Sequence, residues 1–275
     1  MAATEWVLVT GAASGIGAEL CRLFARAGSN IVLVDKSPDG LEKTGAELFG
    51  KFGIQTVLLV HDLSFPDAPE QIYRELEEQG IEIDVLVNNA GFGTFGNFWE
   101  TDIGRDKALI NVNIMAPMLL TRLFLPPMIA RRKGRILNVG SVSGFLASPY
   151  TSTYYSSKAF LLSFSQGVAT ALKGSGVTAT VVCPGPTYTA FNWHAEEGGP
   201  PPQRKRFQME AADVAAQAYR GMRRGRMVVI PGASNKALAL LAKVLPRRFA
   251  LWLLTFGQEA SAKTDAKTEE AAKPK

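Results

Sequence analysis

The chain has few of the residues that build disulfide-stabilised or metal-binding proteins. Its 275 residues include only two cysteines and two histidines. Cys21 and Cys183 each lie inside an apolar stretch, so we expect buried free thiols and a reducing compartment rather than a disulfide. His61 and His194 are far apart in sequence and no CxxC pair occurs. The sequence therefore predicts no metal site.

The sequence also lacks the usual signs of membrane insertion and nucleic-acid binding. It has no uninterrupted apolar run of about 18 residues, so we expect no membrane-spanning segment. Its first residues, MAATEWVLVTG, form a strand pattern rather than a secretory signal. The formal net charge is only +5 and the basic residues are spread along the chain, which favours a solvated surface. We expect a cytoplasmic protein without a nucleic-acid partner.

Short apolar runs alternate with segments of helical length such as PDAPEQIYRELEEQG and AADVAAQAYRGMRRG. The runs are apolar throughout, which indicates strands buried on both faces of a parallel sheet. We predict one α/β domain over residues 1–258, a doubly wound parallel sheet with helices on both faces. Its seven predicted strands are Trp6–Thr10, Ile31–Asp35, Thr56–His61, Val85–Asn89, Arg135–Val139, Thr178–Cys183 and Met227–Ile230.

Three segments depart from this pattern. Residues 191–209 are rich in glycine, proline and charge and predict a mobile loop over the substrate. Residues 235–257 predict two apolar helical pieces separated by Pro246, and residues 259–275 predict a disordered tail. The stretch 236–256 could lie on a membrane surface, although packing over the site or into a subunit interface is favoured.

The first predicted strand runs directly into the turn TGAASGIG. Glycines at the carboxyl end of a strand allow a tight turn, close approach to a pyrophosphate, and close helix–strand packing. The next segment, GAELCRLFARAG, predicts a helix whose N-terminal N–H groups face the phosphates. A strand before and a helix after distinguish such a turn from an ordinary loop. We predict a dinucleotide-binding turn formed by Gly11, Ser14, Gly15, Ile16 and Gly17.

The ends of the next two strands bear on the choice of dinucleotide. Asp35 lies 20 residues after the middle glycine of the turn, where a carboxylate accepts hydrogen bonds from ribose hydroxyls and repels a 2′-phosphate. Asp35 therefore favours NAD, while Lys36 keeps NADP possible. Asp62 and Leu63 are expected near the adenine ring, and Asp62 could also cap the helix that follows.

Five motifs occur in order within residues 5–258: TGxxxGxG at Thr10–Gly17, NNAG at Asn88–Gly91, Ser141, Tyr154-x-x-x-Lys158, and Pro184-Gly185. Together they resemble the short-chain dehydrogenase/reductase family, in particular its bacterial short-chain oxidoreductase type. The resemblance implies a Rossmann-type sheet with strand order 3-2-1-4-5-6-7 and a nicotinamide cofactor. It also implies reversible hydride transfer between a carbonyl and an alcohol. A homodimer or homotetramer is expected, paired through the helices that bear Asn113 and Tyr154.

Two adjacent tyrosines compete for the acid–base role. Tyrosine, whose pKa is about 10 in water, exchanges protons poorly at neutral pH unless a cation lowers that pKa. Helical spacing puts both Tyr154 and Tyr155 within reach of the Lys158 ammonium, so spacing leaves the choice open. The resemblance selects Tyr154, with Lys158 favouring its phenolate, and leaves Tyr155 as a packing residue.

The resemblance also assigns the other polar positions. It selects Ser141 over Ser143 as the hydroxyl that binds the substrate oxygen. It selects Asn113 over Asn111 as the residue that extends a proton relay through Lys158. Besides Tyr154 and Lys158, the dinucleotide is expected to contact Asn89, Gly91, Pro184, Thr187 and Thr189, the two threonines toward the nicotinamide carboxamide.

Apolar residues near these motifs suggest an apolar pocket, formed by Phe92, Phe95, Phe145, Leu146, Phe191 and Trp193. We therefore expect an NAD(P)-dependent oxidoreductase that acts on a hydrophobic small molecule, steroid-like or 3-oxoacyl-like. The alternatives are a catalytically silent NAD(P)-binding regulatory protein and an extended-type epimerase or dehydratase. The complete set of Ser141, Tyr154 and Lys158 disfavours the first, and the TGxxxGxG spacing disfavours the second.

Overall fold

Strands and helices alternate along the chain. The computed structural model describes residues 4–189 and 208–245. Its strands are β1 (Trp6–Thr10), β2 (Asn30–Asp35), β3 (Thr56–Val60), β4 (Val85–Asn88), β5 (Gly134–Val139), β6 (Val177–Val182), β7 (Thr187–Tyr188), β8 (Met209–Glu210) and β9 (Val228–Val229). Its α-helices are α1 (Gly15–Arg26), α2 (Pro38–Phe52), α3 (Ala68–Glu78), α4 (Ile103–Ile110), α5 (Ala116–Ala130), α6 (Ser152–Ala171), α7 (Ala211–Arg223) and α8 (Ala233–Val244).

Two short helical turns interrupt this series. A π-helical turn, Asn111–Met115, joins α4 to α5, and a 3₁₀ turn, Val142–Phe145, follows β5. The sequence patterns do not predict the π-turn. It sits where α4 and α5 form one continuous helix, and such turns frequently mark functional sites.

Seven parallel strands form the main sheet in the order β3-β2-β1-β4-β5-β6-β9. The expected order is confirmed, because β9 corresponds to the seventh predicted strand. β7 and β8 form a separate parallel pair. Since all seven strands point the same way, the residues that follow β1, β2, β4, β5 and β6 meet at one edge of the sheet. This edge carries the candidate site.

Both faces of the sheet are buried, which explains the uninterrupted apolar runs. Val7 and Val9 of β1 face the layer formed by α1, α2 and α7, where Phe24 is fully buried. Leu8 faces the opposite layer of α3, α5 and α6, where Ile72 is fully buried. Burial of each such side chain contributes about 1.5–3 kcal/mol. Cys21 and Cys183 are buried free thiols, as expected.

A chain of buried amides ties α6 to the central strands. Asn88 Nδ2 donates to Asn138 Oδ1 at 2.8 Å, and Asn138 Nδ2 donates to Ser165 Oγ at 2.8 Å. All three side chains are almost completely buried. Because leaving buried amides without partners is costly, this row of hydrogen bonds fixes α6 against β4 and β5. The helix that bears the two tyrosines is thus held in register with the sheet.

The helical stretch Ile103–Ala130 is long and apolar enough, by length and composition alone, to cross a membrane, although no such segment was expected. In the fold, Leu120, Phe124 and Met128 of this stretch are buried in the core. Core packing therefore accounts for the apolar residues on one side of the stretch.

The predicted mobile loop and C-terminus are covered only in part. Residues 191–207 lie outside the described residues, and so do 246–275 with the second apolar piece and the tail. The first apolar piece is α8, which begins two residues earlier than predicted, at Ala233.

Candidate active site

The glycine turn follows β1 and opens α1. Gly11 and Gly15 have φ angles of 66° and 56°, a conformation that only glycine adopts at little cost. A side chain on Gly17 would collide with the Gly11 carbonyl oxygen. Each glycine of the turn is therefore required by the backbone, and the turn leaves open backbone N–H groups at the start of α1. No acidic residue lies in the first turn of that helix, so its positive dipole end suits an anion.

The NNAG loop holds this turn in place. Asn89 Nδ2 donates to the carbonyl oxygens of Thr10 at 2.9 Å and Gly11 at 3.1 Å. In return, Thr10 Oγ1 accepts from the N–H groups of Asn89 and Ala90, both at 3.0 Å. These four bonds preorganise the turn. Ser14 is the N-cap of α1 and Ile16 packs against the core, so both lie on the turn as predicted.

Asp35 lies at the carboxyl end of β2 beside the turn. Its Oδ2 accepts from Ala13 N at 3.1 Å and its Oδ1 accepts from Ser37 N at 3.1 Å. The carboxylate is thus fixed in orientation, while each oxygen keeps a further lone pair for a ribose hydroxyl. The Lys36 side chain next to it is exposed.

Asp62 has a different structural role from the expected helix cap. Its Oδ1 accepts from Ser64 N at 2.8 Å, an Asx turn that shapes the loop after β3. α3 begins only at Ala68, and its N-cap residue is Asp67, so Asp62 lies too far from the helix to cap it. Leu63 is buried under the same loop.

Ser141, Tyr154 and Lys158 come together at the ends of β5 and α6. Tyr154 is 6% exposed and its side chain hydrogen-bonds that of Ser141. Lys158 Nζ lies 5.8 Å from the centre of the Tyr154 ring and donates to the Val139 carbonyl oxygen at 3.0 Å. The three side chains therefore form one buried cluster, on the same edge of the sheet as the glycine turn.

Burial dominates the proton affinities of this cluster. It raises the pKa of the Tyr154 phenol above its usual value, and the hydrogen bond from Ser141 opposes that rise. Burial lowers the pKa of Lys158 to about 8. The sequence led us to expect that Lys158 lowers the pKa of Tyr154, but the net shift of that pKa is upward. Loss of solvation is the largest cause of the rise, and the neighbouring Tyr155 phenol adds to it.

Asn113 lies beside this cluster, and Asn111 does not. A side chain on Gly91 would lie 3.1 Å from Asn113 Oδ1 and 3.3 Å from Lys158 Nζ, so Gly91 leaves both side chains room. Asn113 Nδ2 donates to Phe92 O and to Ser157 Oγ, both at 3.0 Å. Asn111 instead donates to the Ser64 carbonyl oxygen at 2.7 Å, on the Asp62 loop. The two asparagines thus lie on different sides of the helix, as residues two positions apart in a helix do.

Tyr155 packs, as expected, and it also makes a hydrogen bond that the sequence did not predict. Its side chain hydrogen-bonds that of Ser143, while its ring meets the Tyr154 ring edge-on at 6.1 Å between centroids. Sequence reasoning considered Ser143 only as a competitor of Ser141. It also missed Ser157, which binds Asn113. Hydroxyl pairing between α6 and its neighbours leaves no trace in local sequence patterns.

The turn after β6 completes the edge. The Pro184 carbonyl oxygen accepts from Val142 N at 2.9 Å, and Thr187 Oγ1 donates to Gly185 O at 2.9 Å. A side chain on Gly15 would lie 3.2 Å from Thr189, so Thr189 lies over the glycine turn. The predicted contacts of Thr187 and Thr189 with a nicotinamide carboxamide stay predictions.

Four residues of the expected apolar pocket lie among the described residues, in different surroundings. Phe92 packs against the core layer that contains α5, and Phe145 packs against the small cluster of Leu162, Val181 and Cys183. Phe95 is 44% exposed and stacks on Tyr150 at 6.0 Å. Phe191 and Trp193 lie outside the described residues. Leu146, at the end of the 3₁₀ turn, is half-buried.

The residues present fit a dinucleotide. The bare glycine backbone and the N-terminus of α1 suit a pyrophosphate, and Asp35 at the end of β2 suits a ribose. Lys158 lies next to Gly91 of the NNAG loop and Asn113, and Tyr154 lies beside Lys158. In this arrangement the nicotinamide end of the dinucleotide would lie next to the Ser141–Tyr154 pair.

Comparison with known proteins agrees with this geometry. A 35% identical very-long-chain 3-oxoacyl-CoA reductase from Anas platyrhynchos matches over 185 residues, which are 65% of this chain and 58% of that protein. A 36% identical 1-deoxy-11-beta-hydroxypentalenate dehydrogenase from Streptomyces exfoliatus matches over 185 residues, 66% of this chain and 67% of that protein. The chain thus spans less than two thirds of the first of these relatives.

Solved structures share the fold over nearly their whole length. A short-chain dehydrogenase from Sphingobium yanoikuyae in complex with NADPH has a TM-score of 0.74 and 30% identity, covering 88% of this chain and 96% of that one. A 7beta-hydroxysteroid dehydrogenase has a TM-score of 0.81 and 25% identity, covering 91% and 96%. The family model for short chain dehydrogenases matches residues 5–199. The chain belongs to the short-chain dehydrogenase/reductase family.

Proposed function

We propose that this chain is an NAD(P)-dependent oxidoreductase that transfers a hydride between the nicotinamide cofactor and a carbonyl or secondary alcohol. The observation that carries the proposal is the buried Ser141–Tyr154–Lys158 cluster on the sheet edge that also bears the glycine turn. Relatives named as 3-oxoacyl-CoA reductase and hydroxypentalenate dehydrogenase support it. A bound nicotinamide supplies the hydride in reduction and accepts it in oxidation.

The chain's own residues handle the proton. In reduction, the Tyr154 hydroxyl donates its proton to the carbonyl oxygen, while the Ser141 hydroxyl stabilises the developing negative charge. The raised pKa of Tyr154 keeps it protonated for this step. Lys158, whose ammonium lies against the same ring, stabilises the phenolate that remains. Asn113 lies next to Lys158 and supports the return of a proton.

Tyr154→Phe tests this function. We expect turnover to fall by about a thousandfold or more because the proton donor is lost. The dissociation constant for NADH or NADPH, titrated by fluorescence, should stay within about twofold of wild type. Single-turnover hydride transfer to a panel of hydrophobic ketones is the measurement.

Two outcomes would count against the proposal. Near wild-type hydride transfer by the Tyr154→Phe variant would show that another group donates the proton. A wild-type chain that binds the dinucleotide but converts no ketone or alcohol of the panel would favour the silent NAD(P)-binding regulatory protein.

The proposed cofactor preference is for NAD, on account of Asp35. The carboxylate is held at the end of β2 by Ala13 N and Ser37 N, and its charge would repel a 2′-phosphate. We expect Asp35→Ser to shift the ratio of kcat/KM for NADH and NADPH by about tenfold or more toward NADPH. Asp39→Ser, at an exposed position on α2, is the matched control. A wild-type preference for NADPH would overturn this assignment.

We also propose a hydrophobic substrate, steroid-like or 3-oxoacyl-like, and a cytoplasmic homodimer or homotetramer. The names of the relatives support the substrate class. α8 packs beside the 3₁₀ turn, with Lys243 Nζ 5.4 Å from the Phe145 ring centre, which favours its role as a cover of the site over membrane contact. Liposome flotation of the full chain tests the membrane alternative.

A further inference from the structure

A second tyrosine–serine pair lies next to the first. Tyr154 hydrogen-bonds Ser141, and Tyr155 hydrogen-bonds Ser143. Both tyrosines are in the first turn of α6, and both serines are in or next to the 3₁₀ turn Val142–Phe145. The helix therefore contacts this turn through two tyrosine–serine hydrogen bonds. Only the Tyr154–Ser141 bond belongs to the proposed proton transfer.

The two pairs are joined through the backbone of the turn. Ser143 N donates to Ser141 Oγ at 3.1 Å. This bond occupies one lone pair of the Ser141 hydroxyl, and its proton is then available to the Tyr154 oxygen. Any movement of Ser143 changes the donor on which the orientation of Ser141 depends.

The rest of the turn lies directly on α6. A side chain on Gly144 would come within 2.7 Å of the Lys158 carbonyl oxygen, and Val142 N donates to Pro184 O at 2.9 Å. The turn is thus held at Val142 and Gly144 by backbone contacts. At Ser143, between them, the side-chain contact is the one to Tyr155.

We propose that Tyr155 is a positioning residue, which holds Ser143 and thereby keeps the Ser141 hydroxyl against Tyr154. The inference rests on the proposed function, since it assigns to Tyr155 the alignment of the proposed proton donor. Tyr155 also packs edge-on against Tyr154, but a phenylalanine would preserve that ring contact. The hydroxyl group alone is therefore assigned the positioning role.

The inference makes a specific demand on the pH dependence. The hydrogen bond from Ser141 lowers the pKa of Tyr154, so a less well held Ser141 leaves that pKa higher. The titratable groups that face this cluster are Tyr155 and Lys158 on α6 and Cys183 after β6, with Lys243 of α8 facing Cys183. Tyr155 itself raises the pKa of Tyr154, so Tyr155→Phe also removes that effect, whereas Ser143→Ala keeps the Tyr155 phenol and isolates the contribution of Ser141.

The test compares Tyr155→Phe, Ser143→Ala and the double variant with wild type. We expect each single variant to lower kcat for alcohol oxidation by about five- to tenfold, as for loss of one hydrogen bond. In oxidation Tyr154 accepts the proton as a phenolate, so in Ser143→Ala the rising limb of the kcat/KM profile, which reports its deprotonation, should move to higher pH by about half a pH unit. The double variant should have the same kcat as the single variants, because both substitutions remove the same Tyr155–Ser143 hydrogen bond. Ser143→Thr, which keeps the hydroxyl, should restore the wild-type profile.

Tyr73→Phe is the matched control. It removes the hydroxyl of a tyrosine that hydrogen-bonds Glu77 on α3 and packs edge-on against Phe124, far from the turn. If Tyr155→Phe behaves as this control does, or changes only the melting temperature, the inference is overturned while the proposed function stands. If the wild-type chain turns over no alcohol or ketone, the proposed function fails, and the inference fails with it.

Discussion

At the residue scale, two neighbouring tyrosines of one helix obtain different chemistry from their partners. Tyr154 is buried against Ser141 and the Lys158 ammonium, and Tyr155 is half-buried against Ser143. Both are tyrosines within helical reach of the same lysine, so residue type cannot separate them. The two tyrosines differ in the serine hydroxyl that each one contacts and in how deeply each side chain is buried.

Lys158 shows that the same cluster is costly to the fold. Burial lowers its pKa from 10.5 to about 8, so the folded chain holds the ammonium less well than the unfolded chain. Below pH 8 both states are protonated and the full cost of burial is present. Between about pH 8 and 10.5 only the unfolded chain keeps the proton, so a rise in pH favours the folded state.

We therefore predict that Lys158→Met abolishes turnover yet raises the free energy of unfolding at pH 7 by about 1–3 kcal/mol. Between pH 7.5 and about 9.5 the wild type should gain stability relative to this variant. Urea unfolding at pH 7 and at pH 9.5 measures both effects on stability, with the exposed Lys173→Met as control. A Lys158→Met variant that is less stable than wild type at pH 7 would contradict the prediction.

At the scale of elements, the glycine turn is a joint between β1, α1 and the loop after β4. The strand pattern, the glycine spacing and the helix that follows are all local, so the sequence predicts this unit well. The bonds from Asn89 to Thr10 and Gly11 connect positions almost 80 residues apart. Their geometry follows from the pairing of β1 with β4.

Gly17→Ala should break this joint. A methyl group there meets the Gly11 carbonyl oxygen and Asn89 Nδ2, so we expect a loss of about 1–3 kcal/mol in stability and at least tenfold weaker NADH binding. Gly50→Ala is the matched control, since Gly50 is exposed on α2 and an added Cβ would meet nothing within 4 Å. That change should stabilise the chain by about 0.5–1 kcal/mol. Unaltered NADH binding by Gly17→Ala would contradict the proposed role of the turn.

At the scale of the whole molecule, one sheet edge collects residues from five strands, and the layers around it are closed by helices. The outer face of α6 differs from those closed layers. Phe160 and Phe164 stack there with centroids 5.7 Å apart and planes 9° from parallel, and both are half-buried in the single chain. An aromatic stack on this helix suits contact with a second copy of the chain.

We predict a dimer or tetramer by light scattering, and a smaller species for Phe164→Glu, because a carboxylate would be desolvated in such a contact. Phe49→Glu, at a position 67% exposed on α2, should leave the mass unchanged. Equal masses for all three proteins would remove α6 from the proposed interface.

Much of the fold and part of the site follow from the sequence. Strand positions, strand order, the glycine turn and Asp35 lie where predicted, since each depends on a short motif or on apolar runs buried on both faces. The bounds of α3 and α7 fall within the predicted helical segments. The π-turn was not predicted, because its residues look like any apolar helix and only the packing around Asn113 distinguishes them.

The sequence by itself therefore determined the architecture, the family resemblance and the set of candidate residues. Only the tertiary structure decided how these residues act on one another. It showed that Tyr155 hydrogen-bonds Ser143, that Asn111 donates to a carbonyl of the Asp62 loop, and that Phe92 and Phe145 are partly buried against the core. Local motifs encode which residues are present. Burial and hydroxyl pairing depend on atoms brought together from distant parts of the chain, and those set the proton affinities of the site.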